Sequence, residues 1–176
     1  MRERNGNLIT LAQEGFFDVI THGCNCFCTM GAGIAPQMAR AFGCDKFPME
    51  APQYKGDKTK LGTIDYEWQS INIYREIEGP RTGAAPDFGT HNLAVVNSYT
   101  QYRYGRNHED GDKMPVDYNA ISSCMRRINL LFAGKTIGLP LIGCGLAGGD
   151  WNIVKNIFET ELFAMDVWVV HYDGTK

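Results

Sequence analysis

The sequence has 176 residues, of which 44% are hydrophobic and 21% charged, a composition typical of a soluble globular protein with a substantial core. Its formal net charge of −3 gives no electrostatic reason to expect nucleic acid as a partner, because nucleic-acid-binding proteins usually present a basic face. No apolar run reaches the roughly 18 residues that a membrane-spanning helix needs. Residues 1–6 are charged and lack the apolar segment of a secretory signal. We therefore predict a cytoplasmic protein with one domain over residues 1–176.

The cysteines give no sign of a metal site. Neither a CxxC pair nor the Cys/His spacing of a zinc site occurs. Three of them alternate, so on a strand they would share one face, and the other three are scattered: Cys24, Cys26 and Cys28, then Cys44, Cys124 and Cys144. We predict reduced, mostly buried thiols and no metal. A nucleophilic Cys26 or Cys28 stays open, since the sequence places no base beside either.

Five elements are predicted in the first half of the chain. Ile34, Met38, Ala41 and Phe42 lie at helical spacing, and Gly43 follows where a C-cap glycine would stand. In chain order we predict a short strand over residues 6–10, a strand over 18–25, a helix over 32–42, a polar connection that can hold some helix over 44–60, and a half-exposed strand over 61–68.

The second half of the chain also alternates predicted strands with predicted helices. Asp117 and Asp150 stand where N-cap residues would begin helices. In order we predict a Gly- and Pro-rich loop over residues 79–91, a buried strand over 92–102, a flexible charged connection over 105–115, a helix over 117–132, a strand over 136–142, a helix over 151–163 and a buried strand over 167–172. This pattern predicts an α/β sandwich with helices on both faces of a mixed sheet, with a ligand crevice at the carboxyl ends of the strands.

Two glycine-rich stretches follow predicted strands and precede predicted helices. The first is Met30-Gly31-Ala32-Gly33, and the second is Gly143-Cys144-Gly145-Leu146-Ala147-Gly148-Gly149. Glycines leave backbone N–H groups unshielded, and such groups near a helix start form an anion site. A tight turn with close helix packing is the alternative for either stretch alone. The pair predicts a ligand with two phosphates.

These stretches also carry a family resemblance. HGCNC at residues 22–26, MGAGIA at 30–35, PLIGCGLAGGDW at 140–151 and Gly-Asn-Leu at 6–8 resemble a macrodomain, and within that superfamily the branch of yeast-type ADP-ribose 1″-phosphate phosphatases and terminal ADP-ribose protein glycohydrolases. The resemblance implies a three-layer α/β/α fold that binds ADP-ribose, with no cofactor. It implies these ligand-binding residues: Asn7, Leu8, Asn25, Met30, Gly31, Ala32, Gly33, Ile34, Ala35, Gly143, Cys144, Gly145, Leu146, Ala147, Gly148 and Gly149.

The resemblance also gives each part of the ligand a location. Adenine would lie near Asn7 and Leu8, the diphosphate between the loops at 31–35 and 143–148, and the distal ribose near Asn25. Many macrodomains have an aspartate where this chain has Asn7, and that aspartate accepts a bond from the adenine amino group. We expect Asn7 to accept through its amide oxygen. An ordinary turn at Gly6-Asn7 is the alternative.

By resemblance to the phosphatases, His22, Asp150 and Asn25 are the candidate catalytic residues. His22 and Asp150 would exchange protons at ADP-ribose 1″-phosphate, and Asn25 would orient the ribose hydroxyls. The alternatives are a core histidine at His22 and a helix cap at Asp150. Ala147 stands where related glycohydrolases carry an aspartate, so their covalent route lacks its acid/base partner.

Three functions therefore remain open. They are phosphate removal from ADP-ribose 1″-phosphate, hydrolysis of an ADP-ribosyl or O-acetyl-ADP-ribose bond, and non-catalytic binding of ADP-ribose or ADP-ribosylated macromolecules. Three tyrosines lie at the carboxyl end of the predicted buried strand: Tyr99, Tyr102 and Tyr104. They could stack on the ligand or pack at the edge of the core.

Overall fold

The computed structural model describes residues 1–47, 54–75, 87–105 and 115–174. The strands are β1 (Arg2–Asn5), β2 (Val19–Asn25), β3 (Ile64–Arg75), β4 (Asp87–Gln101), β5 (Thr136–Leu139) and β6 (Asp166–His171), and the helices are α1 (Leu8–Gln13), α2 (Ala35–Phe42), α3 (Tyr118–Phe132) and α4 (Trp151–Glu161). Two short 3₁₀ turns, Cys44–Lys46 and Lys58–Lys60, lie between α2 and β3.

The strands form one mixed sheet in the order β1-β6-β5-β2-β4-β3. Every neighbouring pair is parallel except β3 and β4, which are antiparallel. The carboxyl ends of β1, β6, β5, β2 and β4 therefore meet along one edge of the sheet. This edge is where a ligand crevice is expected in an α/β sheet.

Two hydrophobic clusters fill the space on either side of the sheet. Successive strand side chains point to opposite faces, so Val19 packs with α3 and α4 while Ile20 packs with α1 and α2. Phe158 of α4 and Met38 of α2 are fully buried in their respective clusters. Burying a side chain of this size contributes roughly 1.5–3 kcal/mol. The predicted three-layer α/β/α sandwich with a mixed sheet is confirmed.

Helix predictions based on periodicity and caps are confirmed for α2, α3 and α4. Asp117 accepts a bond from the Ala120 N–H, and Gly43 ends α2 at φ 64°. Helix α2 begins at Ala35, three residues later than predicted, with Pro36 in its first turn. Residues 31–34 are thereby left as a loop before the helix.

The predicted strand over residues 6–10 is wrong, because most of this segment belongs to α1. Asn7 caps the helix, and Leu8, Ile9, Leu11 and Ala12 are its buried residues. The first strand lies earlier, where Arg2 pairs with Trp168 and Asn5 with His171. A single helical turn with a buried apolar face cannot be told from a short buried strand by its hydrophobic pattern.

The predicted loop over 79–91 is wrong for residues 87–91, which belong to β4. The β3–β4 ladder runs from Ile64↔Ser98 to Arg75↔Asp87, so both strands are longer than predicted. Residues 79–86 of that prediction, and residues 106–114 of the predicted flexible connection, lie outside the described residues.

The alternating cysteines do not share one strand, because β2 ends at Asn25 and Cys28 adopts φ 55°. All six cysteines are free, and Cys24, Cys26, Cys44 and Cys124 are buried, as predicted. Across the described ranges, no helix has both the length and the apolarity needed to cross a membrane.

Candidate functional site

A cleft of about 960 Å³ runs along the carboxyl edge of the sheet. This volume is within the usual range for small-molecule sites, roughly 300–1,000 Å³. Residues 31–34, the first glycine loop, and residues 143–149, the second glycine loop, both contribute to its lining. Of the predicted ligand-binding residues, those lining the cleft are Asn7, Leu8, Asn25, Gly31, Ala32, Gly33, Ile34, Ala35, Gly143, Cys144, Gly145, Leu146 and Ala147. Met30, Gly148 and Gly149 are not among the lining residues.

The first glycine loop is open and has unused backbone donors. A Cβ placed on Gly31 or Gly33 would meet no heavy atom within 4 Å. Helix α2 has no side-chain cap, and among the described residues its Ala35 N–H donates no hydrogen bond. Pro36 has no N–H, and the Gln37 N–H donates to the Ile34 carbonyl at 3.0 Å. Among the hydrogen bonds of the described residues, none is donated by the backbone N–H of Gly31, Ala32 or Gly33. The loop can therefore offer several donors to an anion.

The second glycine loop combines a rigid frame with an open tip. The Gly149 N–H donates to the Gly143 carbonyl at 2.8 Å, and a Cβ on Gly143 would lie 2.6 Å from Val116 Cγ2. Gly145 has nothing within 4 Å of its Cβ position. Within the described ranges the N–H groups of Gly145, Leu146 and Ala147 donate no hydrogen bond. Gly143 and Gly149 thus shape the loop, while its tip holds the available donors.

Strand order gives the cleft two chemically different ends. The end at β1 and β6 is lined by Asn7, Leu8, Val170 and Tyr172 and is mostly apolar. The end at β2 and β4 is lined by Asn25, Thr29, Gln101, Tyr104 and Gly105 and is richer in polar groups.

Asn25 lines the second end, and its side chain also holds the turn that follows β2. Its Oδ1 accepts from the Phe27 N–H at 3.1 Å and from the N–H and Oγ1–H of Thr29 at 3.3 and 3.1 Å. Its Nδ2 donates to the Thr29 carbonyl at 2.8 Å. The Oδ1 atom is therefore saturated, and the side chain can offer a ligand only N–H donation from Nδ2.

His22 lies inside the protein. It is fully buried on β2, and its Nε2 is 2.9 Å from Asn97 Oδ1. The Asn97 amide donates through Nδ2 to the Cys44 carbonyl at 2.7 Å, so its oxygen faces the imidazole and Nε2 carries the proton. Burial lowers the pKa of His22 to about 4, against the opposing effect of the Asn97 bond. The ring is neutral at pH 7 and does not line the cleft.

Asp150 is exposed and caps α4, as predicted. Its Oδ1 accepts from the Asn152 N–H at 2.8 Å, and its own N–H donates to Tyr118 Oη at 2.8 Å. It directly follows the second glycine loop but is not among the residues that line the cleft. Its catalytic role and that of His22 remain predictions.

Few of the lining residues can exchange protons. Among the described residues that line the cleft, the ionisable side chains are Cys144, Tyr104 and Tyr172, with no carboxylate, imidazole, ammonium or guanidinium group. Burial raises the pKa of Cys144 to about 11, so the thiol is protonated at neutral pH. No cluster of three or more His, Cys, Asp or Glu side chains in the described part of the chain is arranged to hold a metal ion.

No family model matches the sequence. A 17.5 kDa uncharacterized protein from the tk-vs intergenic region of Enterobacteria phage T4 is 33% identical to it in an alignment that covers 96% of this chain and 94% of the phage protein. The chain belongs to the same family as this phage protein.

Solved structures extend the likeness at the level of the fold. The macrodomain of Thermus aquaticus DarG has a TM-score of 0.56 and 21% identity, with 97% of each chain covered. Thermosipho africanus DarTG in complex with ADP-ribose has a TM-score of 0.59 and 18% identity, covering 97% of this chain and 41% of that one. The protein therefore has the macrodomain fold.

Sequence reasoning missed part of the lining of this macrodomain cleft. The missed residues lie on or near strand ends or on α2: Gly6, Gly23, Thr29, Gln37, Gln101, Gly105, Pro140, Leu141, Ile142, Val170 and Tyr172. The rule that ligands bind beyond the carboxyl ends of strands could have found most of them. Tyr104 lines the cleft, whereas Tyr99 is buried with its hydroxyl on Asp65 Oδ2, and the Tyr102 hydroxyl donates to the Gly56 carbonyl.

Proposed function

We propose that the cleft binds ADP-ribose, with the diphosphate between the two glycine loops. The observation that carries this proposal is that both loops line one cleft and that the backbone N–H groups of residues 31–33 and 145–147 donate no hydrogen bond within the described residues. A diphosphate supplies such acceptors and a charge that N–H dipoles near a helix start stabilise. The macrodomain fold, shared with a DarTG protein in complex with ADP-ribose, supports the same ligand.

The two ends of the cleft suit the other parts of this ligand. The apolar end, with Leu8, Val170 and the Tyr172 ring, suits a flat base. The polar end, with Asn25, Thr29 and Gln101, suits the hydroxyl groups of the distal ribose. This orientation agrees with the locations that the sequence resemblance implies.

Calorimetry with ADP-ribose tests the proposal directly. We expect saturable 1:1 binding, and we expect inorganic diphosphate to compete because it occupies the space between the loops. AMP, which lacks the diphosphate, should bind much more weakly. Absence of ADP-ribose binding at millimolar ligand would refute the proposed function.

Phosphate removal from ADP-ribose 1″-phosphate is the enzymatic proposal. Asp150 is its acid/base candidate, because it is exposed and adjoins the second glycine loop. His22 would have to leave its buried bond to Asn97 to reach a ligand, so we assign it no proton transfer. Phosphate release measured against a no-protein background decides whether the protein is an enzyme of this type.

A non-catalytic reader of ADP-ribose is the second candidate, favoured because the described lining residues include no carboxylate or imidazole group. ADP-ribosylated macromolecules would then be its partners. An ADP-ribosyl or O-acetyl-ADP-ribose hydrolase is the remaining alternative. Ala147 lines the cleft and supplies no carboxylate for a covalent glycohydrolase route. ADP-ribose binding without turnover of any of these substrates would support the reader.

A further inference from the structure

Two consecutive backbone N–H groups hold the end of the second glycine loop. The Gly149 N–H donates to the Gly143 carbonyl at 2.8 Å and closes the loop. The next N–H along the chain, that of Asp150, donates to the hydroxyl oxygen of Tyr118 at 2.8 Å. These N–H groups belong to the peptide units on either side of Gly149. Together they restrain the backbone of a residue type that otherwise has the greatest conformational freedom.

Tyr118 is itself fixed in place by the fold. It is the first residue of α3, and its ring packs against the hydrophobic cluster on the α3 and α4 side of the sheet. The preceding Asp117 N–H donates to the Thr100 carbonyl of β4 at 3.0 Å. One residue earlier, the Val116 N–H donates to the Ala147 carbonyl at 3.4 Å. This segment therefore connects the second glycine loop to the end of β4.

We infer that Tyr118 is a positioning residue for the diphosphate, because its hydroxyl keeps the second glycine loop ordered before a ligand arrives. The inference rests on the proposed function, which puts the diphosphate beside the loop tip. Four of the seven residues at 143–149 are glycines, so the loop has much backbone entropy to lose. Donors that are ordered in advance bind an anion more tightly, because less of this entropy is lost on binding.

Two variants separate this role from a general contribution to stability. Tyr118→Phe removes the hydroxyl and keeps the ring, and the N–H of the exposed Asp150 can turn to water, so the variant should fold. Ser122→Ala is the matched control. It also removes one hydroxyl between α3 and α4, since Ser122 Oγ donates to Glu161 Oε1 at 2.5 Å. Glu161 is the last residue of α4, at the opposite end of that helix from the loop.

The test titrates two parts of the proposed ligand, inorganic diphosphate and adenosine, in competition with ADP-ribose. We expect Tyr118→Phe to weaken diphosphate binding at least about threefold, the effect of one lost hydrogen bond, and to leave adenosine binding unchanged. Ser122→Ala should bind both as the wild type does. Without ligand, the Gly148 and Gly149 amides should exchange their hydrogens faster in Tyr118→Phe alone.

Three results would overturn the inference and leave the proposed function standing. They are wild-type diphosphate affinity or wild-type amide exchange in Tyr118→Phe, an equal weakening of adenosine binding in that variant, and the same loss of diphosphate affinity in Ser122→Ala. Failure of the wild type to bind ADP-ribose would overturn both.

Discussion

Gly31 and Gly145 line the cleft and have room for a side chain. Neither has a positive φ, and a Cβ on either meets no atom within 4 Å. Gly31→Val and Gly145→Val should therefore fold normally, yet each places a branched side chain beside the proposed diphosphate. We expect each to weaken ADP-ribose binding at least about tenfold, or roughly 1.4 kcal/mol, in calorimetry.

Gly89→Ala is the control for these variants. Gly89 lies on β4, where an added Cβ makes only an ordinary contact 3.5 Å from Ile73 Cγ1. Its binding should equal that of the wild type. Gly33→Val is less informative, because φ at Gly33 is +63° and a valine there also strains the backbone. Wild-type affinity in both Gly31→Val and Gly145→Val would rule out a diphosphate between the loops.

His22 makes stability depend on pH. Its pKa is about 4 in the folded protein and near 6.5 when unfolded, so the unfolded chain takes up a proton first as the pH falls. Stability is fully present above pH 6.5 and is lost as the pH falls toward 4. At pH 4.5 the loss should be roughly 2–3 kcal/mol relative to pH 7.

Urea unfolding at pH 7 and pH 4.5 measures this loss, and His22→Gln separates it from carboxylate titration. The amide of the introduced glutamine can donate to Asn97 Oδ1 but does not titrate, so the variant should lose clearly less stability than the wild type between these pH values. Equal losses in the two proteins would mean that His22 takes up protons normally in the folded state.

At the scale of elements, Asp150 is both the N-cap of α4 and a candidate catalytic residue. Two substitutions separate these two roles. Asp150→Ala removes the bond to the Asn152 N–H and should cost about 1 kcal/mol in unfolding free energy. Asp150→Asn keeps a capping oxygen and should unfold like the wild type. If the carboxylate transfers a proton, Asp150→Asn should lower phosphate release at least about tenfold. Full activity in Asp150→Asn would mean that Asp150 acts only as the cap of α4.

The elements that sequence alone predicted are those with long periodic patterns or clear caps. Helices α2, α3 and α4 have buried faces at helical spacing and end or begin at Gly43, Asp117 and Asp150. Helix α1 has six residues, too few to distinguish helix from strand by periodicity. The length of β3 and β4 is set by their pairing with each other, which local sequence does not report.

The candidate site was likewise predictable only where its residues have a local sequence signal. The glycine loops could be found because glycine next to a strand and a helix has local meaning. The environment of His22 could not, because it depends on Asn97, 75 residues away on the neighbouring strand. The sequence also did not show that Asn7 Oδ1 accepts the Ile9 N–H, because this bond depends on helix α1, which the sequence did not predict.

At the scale of the whole molecule, the proposed anion site works without cations. The protein has a net charge of −3, and the described residues that line the cleft include no lysine or arginine. Backbone donors act at contact distance, where dissolved ions screen little. We expect the ADP-ribose dissociation constant to change less than about threefold between roughly 0.05 and 0.5 M NaCl. A tenfold weakening over this range would instead indicate that a lysine or arginine contacts the diphosphate.

The parallel pairing of β1 with β6 has a consequence for how the protein is made. Arg2–Asn5 must wait for Asp166–His171 to leave the ribosome before the two strands can join. Pairings between such distant segments form late, because a long stretch of chain must first be ordered. Since the apolar end of the cleft is lined by residues on or shortly after these two strands, a nascent chain has no complete pocket until β6 has been synthesised. The proposed ligand can therefore stabilise the fold only after β6 has been synthesised, and cannot guide the earlier steps of folding.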